Sequence, residues 1–117
     1  MNNKSTCDTF EQFYGTEHYF ECEYNESYAY TDGMKYLFDH VSKENEELIT
    51  KFILKHNNYK HPFTCVHIQM LNGIGKIQNF DEEGEVTDEI SIKEPHLDNG
   101  IYKIFCYNHV MLAATEY

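Results

Sequence analysis

PFTCVHIQMLNGIGKIQNF, residues 62–80, is the stretch that decides the fold. Past Pro62, apolar Val66, Ile68 and Met70 alternate with Cys65, His67 and Gln69, the period-two signature of a strand with one buried face. Asn72–Gly73 then supplies the left-handed backbone of a tight hairpin, and a second strand runs from Gly75 to Phe80. The same reading extends forward. Asp81–Glu82–Glu83–Gly84 is another turn, a strand follows through Val86, Ile90 and Ile92, and Pro95 to Gly100 is a loop. Ile101 to Tyr107 and Val110 to Ala113 are the last strands, broken by Asn108–His109.

Backward from Pro62 the period changes to that of a helix. Ser42 is an N-cap, acids Glu44, Glu46 and Glu47 fill the first turn, and Leu48, Ile49, Phe52 and Ile53 form a buried stripe ending at Asn57–Asn58. Thr31–Asp32–Gly33 opens an earlier helix with Met34, Leu37, Phe38 and Val41 on one side. Phe10, Phe13 and Tyr14 fit a short helical turn capped by Asp8 or Thr9 and stopped at Gly15, and from Glu17 to Tyr30 the pattern is nearer alternation. The expected architecture is α+β: helices over about 33–41 and 43–57, packed on a C-terminal antiparallel sheet of four to five strands, in one domain spanning residues 1–117.

The 117 residues carry nine Lys, no Arg and twenty Asp plus Glu, a net charge of −11. That balance repels phosphate and argues against direct binding to nucleic acid or to an anionic membrane through a basic patch. With 41% hydrophobic and 15% aromatic residues the chain still has the material for a core, unlike a disordered acidic tail. Met1–Asn2–Asn3–Lys4 leads into a polar stretch, and no apolar run reaches the length of a membrane span, so the expected location is the cytoplasm. The acidity is uneven. Residues 8–32 hold seven acids and no Lys, residues 81–98 hold eight acids and Lys93, and everything else sums to +3. Like-charge blocks of this kind repel themselves and commonly serve as interaction surfaces.

Catalytic and metal signatures are weak. Cys7, Cys22, Cys65 and Cys106 form no C-x-x-C pair and read as buried reduced thiols. Cys22 lies between Glu21 and Glu23, a poor setting for a nucleophilic thiolate. Adjacent Asp88 and Glu89 point to opposite faces of a strand and cannot share a substrate. Gly73–Lys76 lacks the frame of a phosphate loop and is better read as a hairpin. A metal or small-ligand site is conceivable from Cys65 and His67 on one strand face, Cys106 on a neighbouring strand and His96 or His109, although the spacing matches no structural zinc pattern.

Three segments carry a resemblance: Phe13–Tyr14–Gly15–Thr16–Glu17–His18–Tyr19, Tyr30–Thr31–Asp32–Gly33–Met34–Lys35–Tyr36–Leu37, and the C-terminal Thr115–Glu116–Tyr117. Together they resemble a family of small bacterial, plasmid and phage proteins classed only as a domain of unknown function, with the pattern F-x-G-[ST]-E-x-[YW], then Y-T-D-G-V-K-Y-L, then a terminal S-E-Y. The resemblance implies a shared fold and a mobile-element origin, and it transfers no catalytic residue. Joined to the charge blocks, it leads to the expectation of a non-enzymatic, anti-CRISPR-like inhibitor that imitates nucleic acid and needs no cofactor. Its partner would be a basic nucleic-acid-binding protein of the host, a CRISPR effector above all, met in the bacterial cytoplasm. The expected contacts are Asp81, Glu82, Glu83, Glu85, Asp88 and Glu89 in one block, and Glu21, Glu23 and Glu26 with Tyr24 and Tyr28 in the other.

Overall fold

A computed structural model describes residues 4–117; the reading of Met1–Asn3 lies outside them. Both expected helices form. Helix α2 (Asp32–Asp39) starts at Thr31, whose hydroxyl accepts from the Met34 amide, and ends before Val41, which falls in the following turn. Helix α3 (Lys43–His56) starts at Ser42, whose hydroxyl accepts from the Asn45 amide, and ends at Asn57. The first helix differs from its expected form. Helix α1 spans Thr6–Phe10 and is capped by Ser5, because the Ser5 hydroxyl reaches the Asp8 amide, so Phe13 and Tyr14 lie beyond the helix.

Seven strands form one mixed sheet, not four or five antiparallel ones: β1 (Tyr19–Glu21), β2 (Ala29–Thr31), β3 (Phe63–Leu71), β4 (Ile74–Phe80), β5 (Val86–Lys93), β6 (Gly100–Tyr107) and β7 (Val110–Ala113). Their order across the sheet is β1-β2-β7-β6-β3-β4-β5, and β2 runs parallel to β7. The two extra strands fall at the ends of the Glu17–Tyr30 stretch of near-alternation and are three residues each, too short for that pattern to fix their pairing. They are fixed by tertiary contacts: Phe20 stacks on Tyr30 with centroids 5.4 Å apart, and Tyr30 meets Phe38 of α2 edge-on at 5.2 Å. The helices are therefore only partly N-terminal, with α1 before β1 and α2 and α3 between β2 and β3.

Alternation along the central strands sends one face inward. Val66, Ile68, Met70, Ile77, Tyr102, Ile104 and Met111 are buried against Met34, Leu37, Ile49, Phe52 and Ile53 of the helices. Each such aliphatic or aromatic side chain contributes about 1.5–3 kcal/mol by leaving water, which is why this face sets the register. The β3–β4 turn places Asn72 at φ 51° and Gly73 at φ 80°, the left-handed pair a two-residue hairpin requires. A closing 3₁₀ turn (Ala114–Glu116) brings Tyr117 onto the opposite face of the sheet, where its ring meets Phe63 and Phe105. No helix among the described residues is long and apolar enough to cross a membrane.

Candidate acidic interaction surface

The β4–β5 turn is built from its own carboxylate. Asp81 Oδ1 accepts from the amides of Glu83 and Glu85, each at 2.9 Å, and Gly84 at φ 82° lets the chain reverse. Asp81 is thus spent on turn geometry. Glu82, Glu83 and Glu85 stand exposed, and none forms an ion pair with a lysine among the described residues.

Farther along β5 the acids separate by face. Asp88 points toward α3, where Lys55 Nζ lies 3.0 Å and His56 Nε2 2.9 Å from the same oxygen. The Lys55 ammonium, then the His56 ring, hold its carboxyl down at about 2. Glu89 points the other way and accepts from Gln78 Nε2 at 2.7 Å. The adjacent pair is split across the sheet as strand geometry demands. Glu94 is buried; it accepts from the Ser42 amide at 2.7 Å, from Asn45 Nδ2 at 3.1 Å and meets His96 Nδ1 at 3.0 Å. Burial pushes this carboxyl up, but those donors outweigh it and leave it below its ordinary value. Glu94 therefore ties the start of α3 to the end of β5. Glu94 belongs to the acidic block by sequence, and the structure removes it from the surface.

The amino-terminal block lies elsewhere. Glu21, Glu23 and Glu26 are exposed around an open cleft of about 680 Å³ that also includes Asp39, Glu46, Lys35 and Lys43. Lys43 bridges Glu23 at 2.6 Å and Glu46 at 3.4 Å, and its ammonium holds the Glu23 carboxyl below the ordinary range. Tyr24 is half-buried, with its hydroxyl donating to Glu46 at 3.4 Å. Tyr28 corrects the expectation of a surface contact: it is a core residue, 9% exposed, donating to Asn57 Oδ1 at 2.9 Å and packed on the His109 ring. Its ring packs between the end of α3 and the β6–β7 turn.

The two blocks do not form one surface. Glu21 is on β1 and the Asp81–Glu85 turn borders β5, the two opposite edges of the sheet. Six strand spacings separate those edges, roughly 29 Å across the sheet. Charge arithmetic alone had no means of placing them.

The metal reading is not assembled either. Cys65 and His67 do share a face, with Sγ and Nε2 3.9 Å apart. In the β3–β6 register, however, Cys106 pairs with Thr64 and Cys65 with Phe105, so Cys106 points into the core on the other side of the sheet. Burial pushes the Cys106 thiol up to about 12. His96 attends Glu94, and His109 sits in the β6–β7 turn against Tyr28. Among the described residues no three His, Cys, Asp or Glu side chains converge as metal ligands would.

The segments that carry the resemblance meet in space. Glu116 Oε1 accepts from the Thr31 hydroxyl at 2.6 Å and from the Ala113 amide at 2.8 Å, and its Oε2 accepts from the Gly33 amide at 3.1 Å. A carboxylate is thereby seated at the N-terminus of α2, where the helix dipole favours it. A Cβ at Gly33 would overlap that carboxylate. Beside it, Asp32 Oδ2 accepts from the amides of Glu17 and His18, and Thr16 accepts from the Asp32 amide. The Gly-Thr-Glu, Thr-Asp-Gly and Thr-Glu motifs form one structural clasp that fastens the Thr16–His18 loop and the C-terminal turn to the start of α2.

Sequence reasoning also missed the placement of the lysines. Lys76, Lys93 and Lys103 fall on the sheet face that no helix covers, and none forms an ion pair among the described residues. The signal was present in the alternation, since each is an odd step from an inward residue. The chain matches no protein-family model, no curated protein and no solved structure, so the resemblance rests on its motifs alone.

Proposed function

We propose that this chain acts by binding, as an acidic, non-enzymatic inhibitor that docks its β4–β5 turn into the basic nucleic-acid groove of a host protein. The observation that carries the reading is the turn itself: Glu82, Glu83 and Glu85 are exposed, closely spaced and without a lysine partner among the described residues, on a turn braced by Asp81. Holding like charges together on a rigid turn is unfavourable by itself, and a cationic groove relieves it. Glu89 lies farther along β5, on the uncovered sheet face beside Gln78, and stands outside this turn. Glu21 and Glu26 offer a second, weaker contact at the far edge, partly neutralised by Lys43 nearby. Asp88, Glu94 and Tyr28 are left to structural roles.

Nothing in the thiol chemistry pulls toward catalysis. Burial raises Cys7 to about 11 and raises Cys65 as well, which disfavours the thiolate. The resemblance to proteins of phages and plasmids points to a defence protein as target, and an RNA-guided nuclease, with a positively charged channel for its heteroduplex, is the class to test first. Binding of this kind is steered by long-range attraction and weakened by salt. The test is capture of host proteins on the immobilised chain at low and high salt, with the Glu82→Lys, Glu83→Lys, Glu85→Lys triple variant alongside. The expected result is a basic nucleic-acid-binding protein that elutes with salt and is lost from the triple variant; retention on that variant overturns the reading.

A further inference from the structure

The sheet face turned away from α2 and α3 has the chemistry of an interface. Phe63, Leu71, Ile74, Ile101 and Tyr107 lie on it with 42–64% of their surface exposed. They form two apolar ends, Leu71, Ile74 and Ile101 at one and Phe63 and Tyr107 at the other, with a polar band of Gln69, Lys76, His67 and Lys103 between them; exposed apolar clusters of this kind mark association sites. Lys76, Lys93 and Lys103 share the face and lack carboxylate partners among the described residues, in a chain with twenty acids to choose from.

The register gives this face an internal symmetry. Strands β3 and β4 pair Leu71 with Ile74, Gln69 with Lys76, His67 with Gln78 and Cys65 with Phe80. Outside them, β5 sets Glu89 beside Gln78, and β6 sets Lys103 beside His67. Glu89, Gln78, His67 and Lys103 thus form one row across four strands, acid at one end and base at the other. A two-fold rotation about the line running along the strands between β3 and β4 exchanges β4 with β3 and β5 with β6, and keeps each row in place.

We infer that a second copy of this chain covers the face through that two-fold. Glu89 then faces Lys103 of the second copy, twice by symmetry, while Ile74 faces Leu71 and Phe80 faces Cys65. Lys76 comes over the Gln69 amide, whose oxygen can accept from it. The apolar pairs meet apolar pairs, the row with charges at both ends is complementary to its own reverse, as an isologous interface requires, and Lys93 ends the Leu71–Ile74 row at the rim. Aligned sheets pack about 10 Å apart, which accommodates these side chains. Four strands make a mated patch of about 19 by 27 Å, so roughly 1,000 Å² is buried in total, the lower end of what a specific interface needs. An acidic partner of another kind would meet the lysines but leave Glu89 opposed. Because the axis follows the strands, both Asp81–Glu85 turns emerge at the same end of the dimer, although the dimer does not depend on what those turns bind.

The test is the mass of the full chain by sedimentation velocity between about 1 and 500 µM at near-physiological salt, with folding of each variant checked by circular dichroism. The expected result is a concentration-dependent dimer. Lys103→Glu should weaken dimerisation at least about ten-fold, since it opposes two like-charge pairs, as should Glu89→Lys, and the double exchange should restore it. Both side chains are exposed, so the variants should keep the fold. A wild-type chain that stays monomeric over the whole range, a Lys103→Glu variant that dimerises as well as wild type, or a folded double exchange that fails to recover would each overturn the inference.

Discussion

Replacing Glu116 by Ala should loosen the whole N-terminal half of the fold, although the residue is next to last in the chain. Its carboxylate receives three donors: the Thr31 hydroxyl at 2.6 Å, the Ala113 amide at 2.8 Å and the Gly33 amide at 3.1 Å. A hydrogen bond to a charged group contributes about 1.5–3 kcal/mol, and the three share one carboxylate, so they do not add in full. Glu116 is half-buried, and water would recover part of what its donors lose. The expected loss is about 2–4 kcal/mol, a large fraction of the stability of a chain this size. In melting temperature that is roughly 8–15 °C, and urea unfolding followed by circular dichroism would read it directly. Glu116→Gln should lose less, because it keeps an acceptor for Thr31. A cycle with Thr31→Val should give a coupling of about 1 kcal/mol or more. A loss below about 1 kcal/mol for Glu116→Ala, with no coupling to Thr31, would refute the clasp and leave the three-motif pattern without a structural cause.

Gly33→Ala should destabilise by about 1–3 kcal/mol, since the new Cβ forces the Glu116 carboxylate off the Gly33 amide; unfolding measurements unchanged from wild type would contradict that contact. Acid should weaken the fold through Asp88, whose carboxyl is held at about 2 by Lys55 and His56. Because the folded value is the lower one, that contribution is present above about pH 4 and is lost as pH falls toward 2; a carboxyl chemical-shift titration placing Asp88 near 4 would be incompatible with the pairing. Thiol-specific labelling at pH 8 should find Cys7 and Cys106 slow in the folded protein and all four cysteines prompt in denaturant, because burial raises Cys7 to about 11 and Cys106 to about 12; rapid labelling of either in the folded state would argue against the packing.

The parts of the fold legible in the sequence are those written in local periodicity. Val66, Ile68 and Met70, with Asn72–Gly73 after them, specify the central hairpin without help from the rest of the chain, and Ser42 and Thr31 cap the helices expected of them. What local pattern does not carry is long-range pairing. Strand β2 exists because Tyr30 can lie between Phe20 and Phe38 and because the chain returns, far along the sequence, to lay Met111 of β7 beside Tyr30. The candidate site divides the same way. That Glu82, Glu83 and Glu85 crowd one turn is plain from their order in the chain. That Glu94, in the same block, is buried follows only from the return of α3 over the sheet, which supplies the Ser42 amide and the Asn45 side chain. Tyr28 was indistinguishable from Tyr24 by spacing, and the Asn57 side chain that draws its hydroxyl inward lies twenty-nine residues away.

Once a partner is captured, the most direct measurement is its affinity for the chain across a range of salt concentrations, with and without its nucleic acid as competitor. If the acidic turn occupies a nucleic-acid groove, affinity falls steeply as salt rises, nucleic acid and chain exclude one another, and the Glu82→Lys, Glu83→Lys, Glu85→Lys variant loses both the affinity and the salt slope. Affinity indifferent to salt, simultaneous binding of nucleic acid, or an unaffected triple variant would contradict the account.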